Sequence, residues 1–131
     1  ANGEKVPPAD MEMAIALDPL FEQVMVIGDD RPFLTALLVL NPEQWERVAR
    51  ELQLDVSDPA ALASDDLKML VSDKLARQLA EFPGFARIHG ITCTLEPWSI
   101  ENELITPTLK LKRNRIMERF AADIDRMYEG H

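Results

Sequence analysis

Two apolar runs and one alternating segment predict three strands. Residues 24–27 and 33–40 are rich in branched apolar side chains, and the turn-forming residues 28–32 separate them. Runs of this kind predict an antiparallel hairpin whose two faces are both covered. Apolar and polar residues alternate over 89–95, which predicts a third strand with one apolar face that includes His89 and Cys93.

Helical periodicity is clearest after Asn41, which has the properties of a cap residue and precedes Pro42 at the first helical position. The apolar residues that follow recur at i, i+3, i+4 and i+7. The same spacing predicts a short helix that ends before Asp18, a helix over 67–79, and a final helix over 116–127. Residues 99–108 are polar and predict an irregular loop.

The order of these elements indicates the fold class. Helix, hairpin, two helices, strand, loop and helix predict an α+β fold, with a small, mainly antiparallel sheet of about three strands covered by helices. The length of 131 residues suits one domain, and the chain has no repeat or low-complexity linker. We therefore expect a single domain over residues 1–131.

Composition excludes several classes of function. The net charge of −9 argues against nucleic acid and anionic lipid as partners, and no apolar run is long enough to span a membrane. Five scattered glycines rule out a Gly-rich phosphate loop. One Cys and two His residues argue against a structural zinc site. A self-contained nucleotide or metal enzyme is therefore not expected.

The net charge conceals a basic island, which we define as residues 110–119. It holds five basic residues and one acidic residue, a net charge of +4. The rest of the chain has nine basic and 22 acidic residues, a net charge of −13. A local cation cluster on an acidic body indicates a contact with a small anion more than with a polymer.

Cys93 and the two tryptophans are the other candidates for chemistry. Cys93 would need a base, and His89 is four residues away on an extended strand, about 13 Å, which is beyond hydrogen-bond reach. We expect Cys93 in the core and His89 as a packing residue at the end of the strand. Trp45 lies on an apolar helix face and is also expected in the core. Trp98 precedes the irregular loop and fits core packing or ligand stacking equally well.

Residues 106–113 form a Pro-containing, hydroxyl-rich segment that places Lys110 just before a helix, with Lys112 and Arg113 close behind. Basic residues are unfavourable in the first turn of a helix, where the dipole prefers anions. Two interpretations remain open: a solvated helix start, or a contact between these cations and an anion such as phosphate.

Residues 2–12 (NGEKVPPADME) and 106–113 (TPTLKLKR) resemble segments of long-chain fatty-acid–CoA ligases, members of the adenylate-forming (AMP-binding) enzyme superfamily. The resemblance extends through 18–28 and 33–42, and the helical insertion over 42–82 is typical of the long-chain branch. It implies that the chain is the C-terminal lid subdomain alone. The large N-terminal domain, which in this family holds the phosphate loop, would be absent. The chain is then expected to begin at the hinge, with Ala1 a vector residue.

The resemblance also implies a two-step reaction. A fatty-acid carboxylate attacks the α-phosphate of ATP to give acyl-AMP and pyrophosphate; the domain then rotates, and the CoA thiol displaces AMP. Lys110 aligns with the family lysine that bridges carboxylate and phosphate in the first step. The resemblance implies weaker substrate or cofactor contacts at Gly3, Glu4, Thr108, Lys112 and Arg113, with Gly3 near the CoA pantetheine.

The family implies ATP, CoA and Mg²⁺ for the full-length enzyme, and none of them tightly bound to this chain. The expected partners are the N-terminal adenylation domain and the fatty acid, with no nucleic acid and no transmembrane segment. We expect a cytoplasmic enzyme, with any membrane association through the missing domain, and an inactive isolated chain. Two alternatives are a stand-alone binding or regulatory module that retains the lid fold, and an acyl-AMP ligase that passes acyl groups to a carrier protein.

The sequence departs from the wider superfamily in two places. Thr108 and Leu109 precede the lysine where many members have Ser-Gly, as in the long-chain branch. Glu103 follows Asn102 where relatives often have Gly. If that loop needs a positive φ, we expect Asn102 to supply it.

Overall fold

The computed structural model describes residues 7–129, and for Phe85 the backbone only. It contains three strands and five α-helices, with short 3-10 turns at Pro59–Ala63 and Gly84–Ala86. In chain order the elements are α1 (Pro8–Ile15), β1 (Phe21–Ile27), β2 (Leu34–Leu40), α2 (Pro42–Leu52), α3 (Asp65–Gln78), β3 (Ile88–Thr94), α4 (Arg113–Arg119) and α5 (Ala121–Met127). Within this part of the chain, no helix is long and apolar enough to cross a membrane.

The sheet has the order β1-β2-β3. β1 and β2 form the expected antiparallel hairpin, whereas β3 runs parallel to β2. The chain between β2 and β3 crosses over through α2 and α3, and a crossover of this length permits parallel pairing. The α+β class and the three strands are confirmed, and the sheet is mixed, with one antiparallel and one parallel pairing.

Helical layers cover both faces of the sheet. Alternate residues of β1 and β2 point to opposite sides, so each strand contributes to two cores. The first core lies beneath α1, α2 and α3, and its strand residues are Phe21, Val24, Val26, Ala36, Leu38 and Leu40. The second core lies beneath α4, α5 and the long loop, and its strand residues are Met25, Ile27, Leu37 and Val39. Burial on both faces explains why these strands are continuous apolar runs.

The start of α2 agrees with the capping prediction, because the Asn41 side chain accepts a hydrogen bond from the Gln44 amide at 3.0 Å. The predicted final helix is divided into α4 and α5 at Phe120. Helical hydrogen bonds nevertheless continue through this residue, from its amide to Ile116 O (3.0 Å) and from Ile124 N to its carbonyl (2.9 Å). The two helices therefore act as one slightly irregular cover for the second core.

A bulge changes the expected face of β3. The register steps from Leu34 opposite Ile88 to Thr35 opposite Gly90, which leaves His89 as the extra residue. His89 is exposed and its ring contacts Phe33, with 5.5 Å between ring centroids. The prediction that His89 shares an apolar face with Cys93 is therefore wrong.

Candidate functional site

Lys110 lies at the end of a tight turn between the second core and α4. Ile105 and Leu111 form an isolated antiparallel bridge below the turn. The Thr106 amide donates to Lys110 O at 2.8 Å, and the Leu109 amide donates to Thr106 O at 2.8 Å. This is the pattern of a three-residue hairpin loop that ends in a left-handed residue, and Leu109 has a φ of +66°. The sequence therefore builds a compact loop that presents Lys110.

The loop before this turn is organised by Asn102. Its side-chain oxygen accepts hydrogen bonds from the amides of Ser99 (2.9 Å) and Leu104 (3.3 Å), and its side-chain nitrogen donates to Pro97 O at 2.9 Å. The left-handed residue here is Glu103, with a φ of +64°, and not Asn102 as expected. Asn102 has a structural role of a different kind, because its side chain closes the loop while the next residue adopts the unusual backbone conformation.

Lys110 and Lys112 stand on the side of the chain opposite Leu111. Leu111 is half-buried and packs against the second core, and neighbouring residues of an extended segment alternate in direction. Lys110 is exposed and Lys112 is half-buried. Within residues 7–129, neither lysine has a carboxylate oxygen within 4.0 Å.

The three arginines of the basic island, in contrast, are all paired. Their ion pairs are Arg113–Glu12 (2.6 Å), Arg115–Glu103 (3.8 Å) and Arg119–Glu96 (2.8 Å). Only the two lysines of the island therefore remain without an ion-pair partner in the described part of the chain. The positive charge of the island that is available to a ligand therefore lies on Lys110, at the end of the turn, and on Lys112, directly before α4.

Thr108 contributes a hydroxyl beside Lys110. Its Oγ1 lies 3.0 Å from Oγ1 of Thr106, which also accepts a hydrogen bond from the Lys110 amide at 3.1 Å. Two hydroxyls that share one hydrogen bond keep one proton for another acceptor. The turn therefore offers an ammonium group and a hydroxyl donor at an exposed edge, a combination suited to a phosphate or carboxylate oxygen.

Arg113, a predicted substrate contact, is hydrogen-bonded through its guanidinium to the Glu12 carboxylate. Nη1 donates to Oε2 at 2.9 Å and Nη2 donates to Oε1 at 2.6 Å. Hydrogen bonding to this carboxylate is the main cause that raises the pKa of Arg113. Sequence reasoning did not single out Glu12. The signal that could have identified it is an acidic residue on the buried side of α1, beside Met11 and Ile15.

The remaining candidates lie elsewhere. Gly3 and Glu4 are outside the described residues, so their roles stay predictions. Cys93 packs against the first core, as expected, and burial raises the pKa of its thiol to about 12, which excludes a thiolate nucleophile at neutral pH. Trp45 and Trp98 are each 2% exposed, so both are core residues and neither presents a ring for stacking.

The left-handed conformation of Leu109 gives a stability prediction. This side chain is 72% exposed, so it gains little from burial, while a left-handed L-residue costs about 1–2 kcal/mol. Glycine avoids this cost but loses about 0.5–1 kcal/mol of backbone entropy. We expect Leu109→Gly to raise the free energy of unfolding by up to about 1 kcal/mol in denaturant titration.

The neighbouring residue provides the control for this substitution. Thr108 is also exposed but does not have a positive φ, so Thr108→Gly removes no strain. It also loses the hydrogen bond with the Thr106 hydroxyl, so we expect it to lower stability by about 0.5–2 kcal/mol. Equal destabilisation by the two substitutions would contradict a strained turn at Leu109.

The fold is a mixed sheet between two helical layers, and a comparison with protein families identifies the class of domain to which it belongs. The model of the AMP-binding enzyme C-terminal domain family matches residues 1–131. The chain belongs to this family.

Similar proteins agree with this assignment. The long-chain-fatty-acid–CoA ligase FadD15 of Mycobacterium tuberculosis is 32% identical over 136 residues, which cover 98% of this chain and 22% of that protein. The chloroplastic long-chain-fatty-acid–acyl-carrier-protein ligase AEE15 of Arabidopsis thaliana is 30% identical over 128 residues, 98% of this chain and 16% of that protein. The chain thus spans about a fifth of these relatives.

A solved structure shows the same fold. The adenylation domain of a carboxylate reductase from Mycobacterium chelonae superimposes with a TM-score of 0.79 at 27% identity, over 98% of this chain and 18% of that one. Because one relative is named as chloroplastic, the expected cytoplasmic localisation stays a prediction.

Proposed function

We propose that this chain is the C-terminal lid domain of a longer ligase that activates a long-chain fatty acid with ATP and transfers the acyl group to CoA. The observation that carries the proposal is Lys110, an exposed ammonium group on an anchored turn with no carboxylate partner within residues 7–129. Membership of the AMP-binding family supplies the reaction class.

In the first step, a carboxylate oxygen of the fatty acid forms a bond to the α-phosphorus of ATP, and the bond from that phosphorus to the leaving pyrophosphate oxygen breaks. Both reactants are anions, so they must be brought together while negative charge develops on the transferring group. Lys110 would neutralise the carboxylate and the phosphate together. The Thr108 hydroxyl would donate to one of these oxygens, and Lys112 would add a second positive charge.

In the second step, the CoA thiol gives up its proton to solvent and its sulfur forms a bond to the carbonyl carbon of the acyl-AMP. The bond from that carbon to the phosphate oxygen breaks, and AMP leaves. We expect Gly3 to lie near the CoA pantetheine in this step, since glycine permits a close approach of the backbone, and Glu4 to make a weaker substrate or cofactor contact. No three carboxylate, His or Cys side chains of the described residues cluster as a metal site. We expect Mg²⁺ to bind on the N-terminal domain, where the family resemblance places the contacts to ATP.

A carrier protein is the second candidate acceptor. The relative from Arabidopsis thaliana is named as an acyl-carrier-protein ligase, and it matches 98% of this chain. Purified full-length enzyme supplied with acyl-AMP and either CoA or a carrier protein with its phosphopantetheine arm would decide between them. We expect thioester formation with CoA; transfer to the carrier protein alone would support the second candidate.

The isolated chain is expected to be inactive, because the phosphate loop and acyl pocket would lie on the N-terminal domain. Full-length enzyme should exchange pyrophosphate into ATP only when fatty acid is present, whereas the 131-residue chain should stay at background. Acyl-AMP formed by the isolated chain would contradict the proposal that ATP and the fatty acid bind on the N-terminal domain. A coding sequence that starts at this domain, with no phosphate loop before it, would favour the stand-alone binding module.

A further inference from the structure

Glu12 joins three parts of the fold at one carboxylate. It lies on α1, in the first helical layer, and its Oε2 accepts the amide of Val26 on β1 at 2.7 Å. Both of its oxygens accept hydrogen bonds from Arg113, the first residue of α4 in the second layer. β1 is an edge strand, so the Glu12–Arg113 pair closes around the open edge of the sheet.

The pair has the geometry of an orienting contact. Two parallel hydrogen bonds between a planar guanidinium and a carboxylate fix direction as well as distance. The Glu12 and Arg113 side chains are 11% and 40% exposed, so the carboxylate is buried and the guanidinium is only partly so. A buried ion pair contributes little net stability compared with apolar residues of similar size, whereas a two-point pair constrains the relative orientation of its partners.

Arg113 follows the Lys110 turn directly along the chain. Only Leu111 and Lys112 separate it from Lys110, and no side chain caps the start of α4. The Ile105–Leu111 bridge and the core hold the turn from below. The Lys112 amide also donates to Leu104 O at 2.9 Å, so the backbone before α4 is held as well. The Glu12–Arg113 pair adds a two-point side-chain tether at the first residue of α4.

We infer that Glu12 is a positioning residue for the adenylation step: by holding Arg113 it fixes the start of α4, and with it the direction in which the turn presents Lys110. This inference rests on the proposed function of Lys110. An error of about 1 Å in the placement of a reacting group costs about 10²-fold in rate, so a small displacement of the turn is enough to slow adenylation.

The test measures the two half-reactions separately in full-length enzyme. Glu12→Gln keeps an oxygen for the Val26 amide but replaces one acceptor for Arg113 with a donor. We expect it to lower kcat for acyl-AMP formation about 10–100-fold, with KM for ATP changed less than about threefold. Thioester formation from supplied acyl-AMP should stay within about threefold of wild type, since Lys110 acts only in the first step.

Arg113→Lys is the second variant. It keeps a cation beside Glu12, so it preserves the charge balance, but it loses the two-point fork. We expect a smaller loss of adenylation, about 3–30-fold, again with the second step spared. If Glu12→Gln does not fold, Arg113→Lys alone tests whether the pair positions Lys110. The matched control is Arg119→Gln. Arg119 also lies on α4, and its substitution breaks only the exposed pair with Glu96, so both steps should stay within about twofold of wild type.

Equal losses in the two half-reactions, or adenylation unchanged in both variants, would overturn the positioning role. Lys110→Ala in the same assay separates the two hypotheses. If it does not lower adenylation, the proposed function itself fails. If it does while Glu12→Gln and Arg113→Lys do not, only the positioning inference fails.

Discussion

Replacing Lys110 with alanine is expected to lower the rate of acyl-AMP formation about 10²–10³-fold in the full-length enzyme. The loss follows from removing the ammonium group that would offset charge on the carboxylate and the α-phosphate during their reaction. Thioester formation from supplied acyl-AMP should stay near the wild-type rate. The measurements are fatty-acid-dependent exchange of pyrophosphate into ATP for the first step, and consumption of CoA thiol for the second.

Lys112→Ala is the control, because Lys112 is the other lysine of the basic island without a carboxylate partner in residues 7–129. It sits two residues further from the turn, and we expect at most about a tenfold loss in the first step. Neither substitution breaks an ion pair among the described residues, so both variants should unfold at the wild-type temperature. A larger effect at Lys112 would move the bridging role to that residue, and equal loss in both steps would contradict the proposed role of Lys110.

Local sequence patterns accounted for the hairpin and the helices. The runs at 24–27 and 33–40 are apolar on both faces because each strand lies between two cores, and residues 28–32 determine where the chain turns. The start of α2 was also predictable, because the Asn41 cap depends on a hydrogen bond to Gln44, only three residues further along the chain. Short-range rules suffice where the determining contacts are close in the chain.

The pairing of β3 depends on distant parts of the chain. Its parallel direction follows from the crossover through α2 and α3, and its bulge at His89 follows from the register with β2. The alternation of apolar and polar residues within 89–95 carries no information about the direction of the strand or about its bulge. The prediction for His89 therefore failed although the strand itself was located correctly.

The candidate site also combines features that local sequence predicts with features that depend on distant contacts. Lys110 was identified from its motif, and the structure adds that its turn is anchored. The net charge of the basic island did not reveal that its arginines are paired and its lysines are not. Arg113 and Glu12 are 101 residues apart in the sequence, so no local pattern connects them. Contacts of this kind become visible only in the folded chain.

Truncating Trp98 to alanine is expected to lower the free energy of unfolding by about 3–5 kcal/mol. Its ring is 2% exposed in the second core and meets Phe120 edge-on at 6.3 Å between ring centroids. The backbone of Trp98 is also held by Gln23, through hydrogen bonds of 2.7 and 2.8 Å, at the entry to the Asn102 loop. Guanidinium unfolding of the 131-residue chain measures the loss, with fluorescence of the remaining Trp45 as the probe.

Trp98→Phe tests how much of the loss comes from packing volume, and Trp98→Ala separates core packing from ligand stacking. The indole nitrogen of Trp98 has no hydrogen-bond partner within residues 7–129, so phenylalanine removes volume without breaking a hydrogen bond there. We therefore expect a cost of about 1–3 kcal/mol from the lost volume, below that of alanine. If Trp98 stacked on a ligand instead, Trp98→Ala would leave stability within about 1 kcal/mol of wild type and raise KM for ATP in the full-length enzyme. Because the ring lies beneath the loop that leads to Lys110, the core role predicts that lost stability and weakened adenylation occur together in Trp98→Ala.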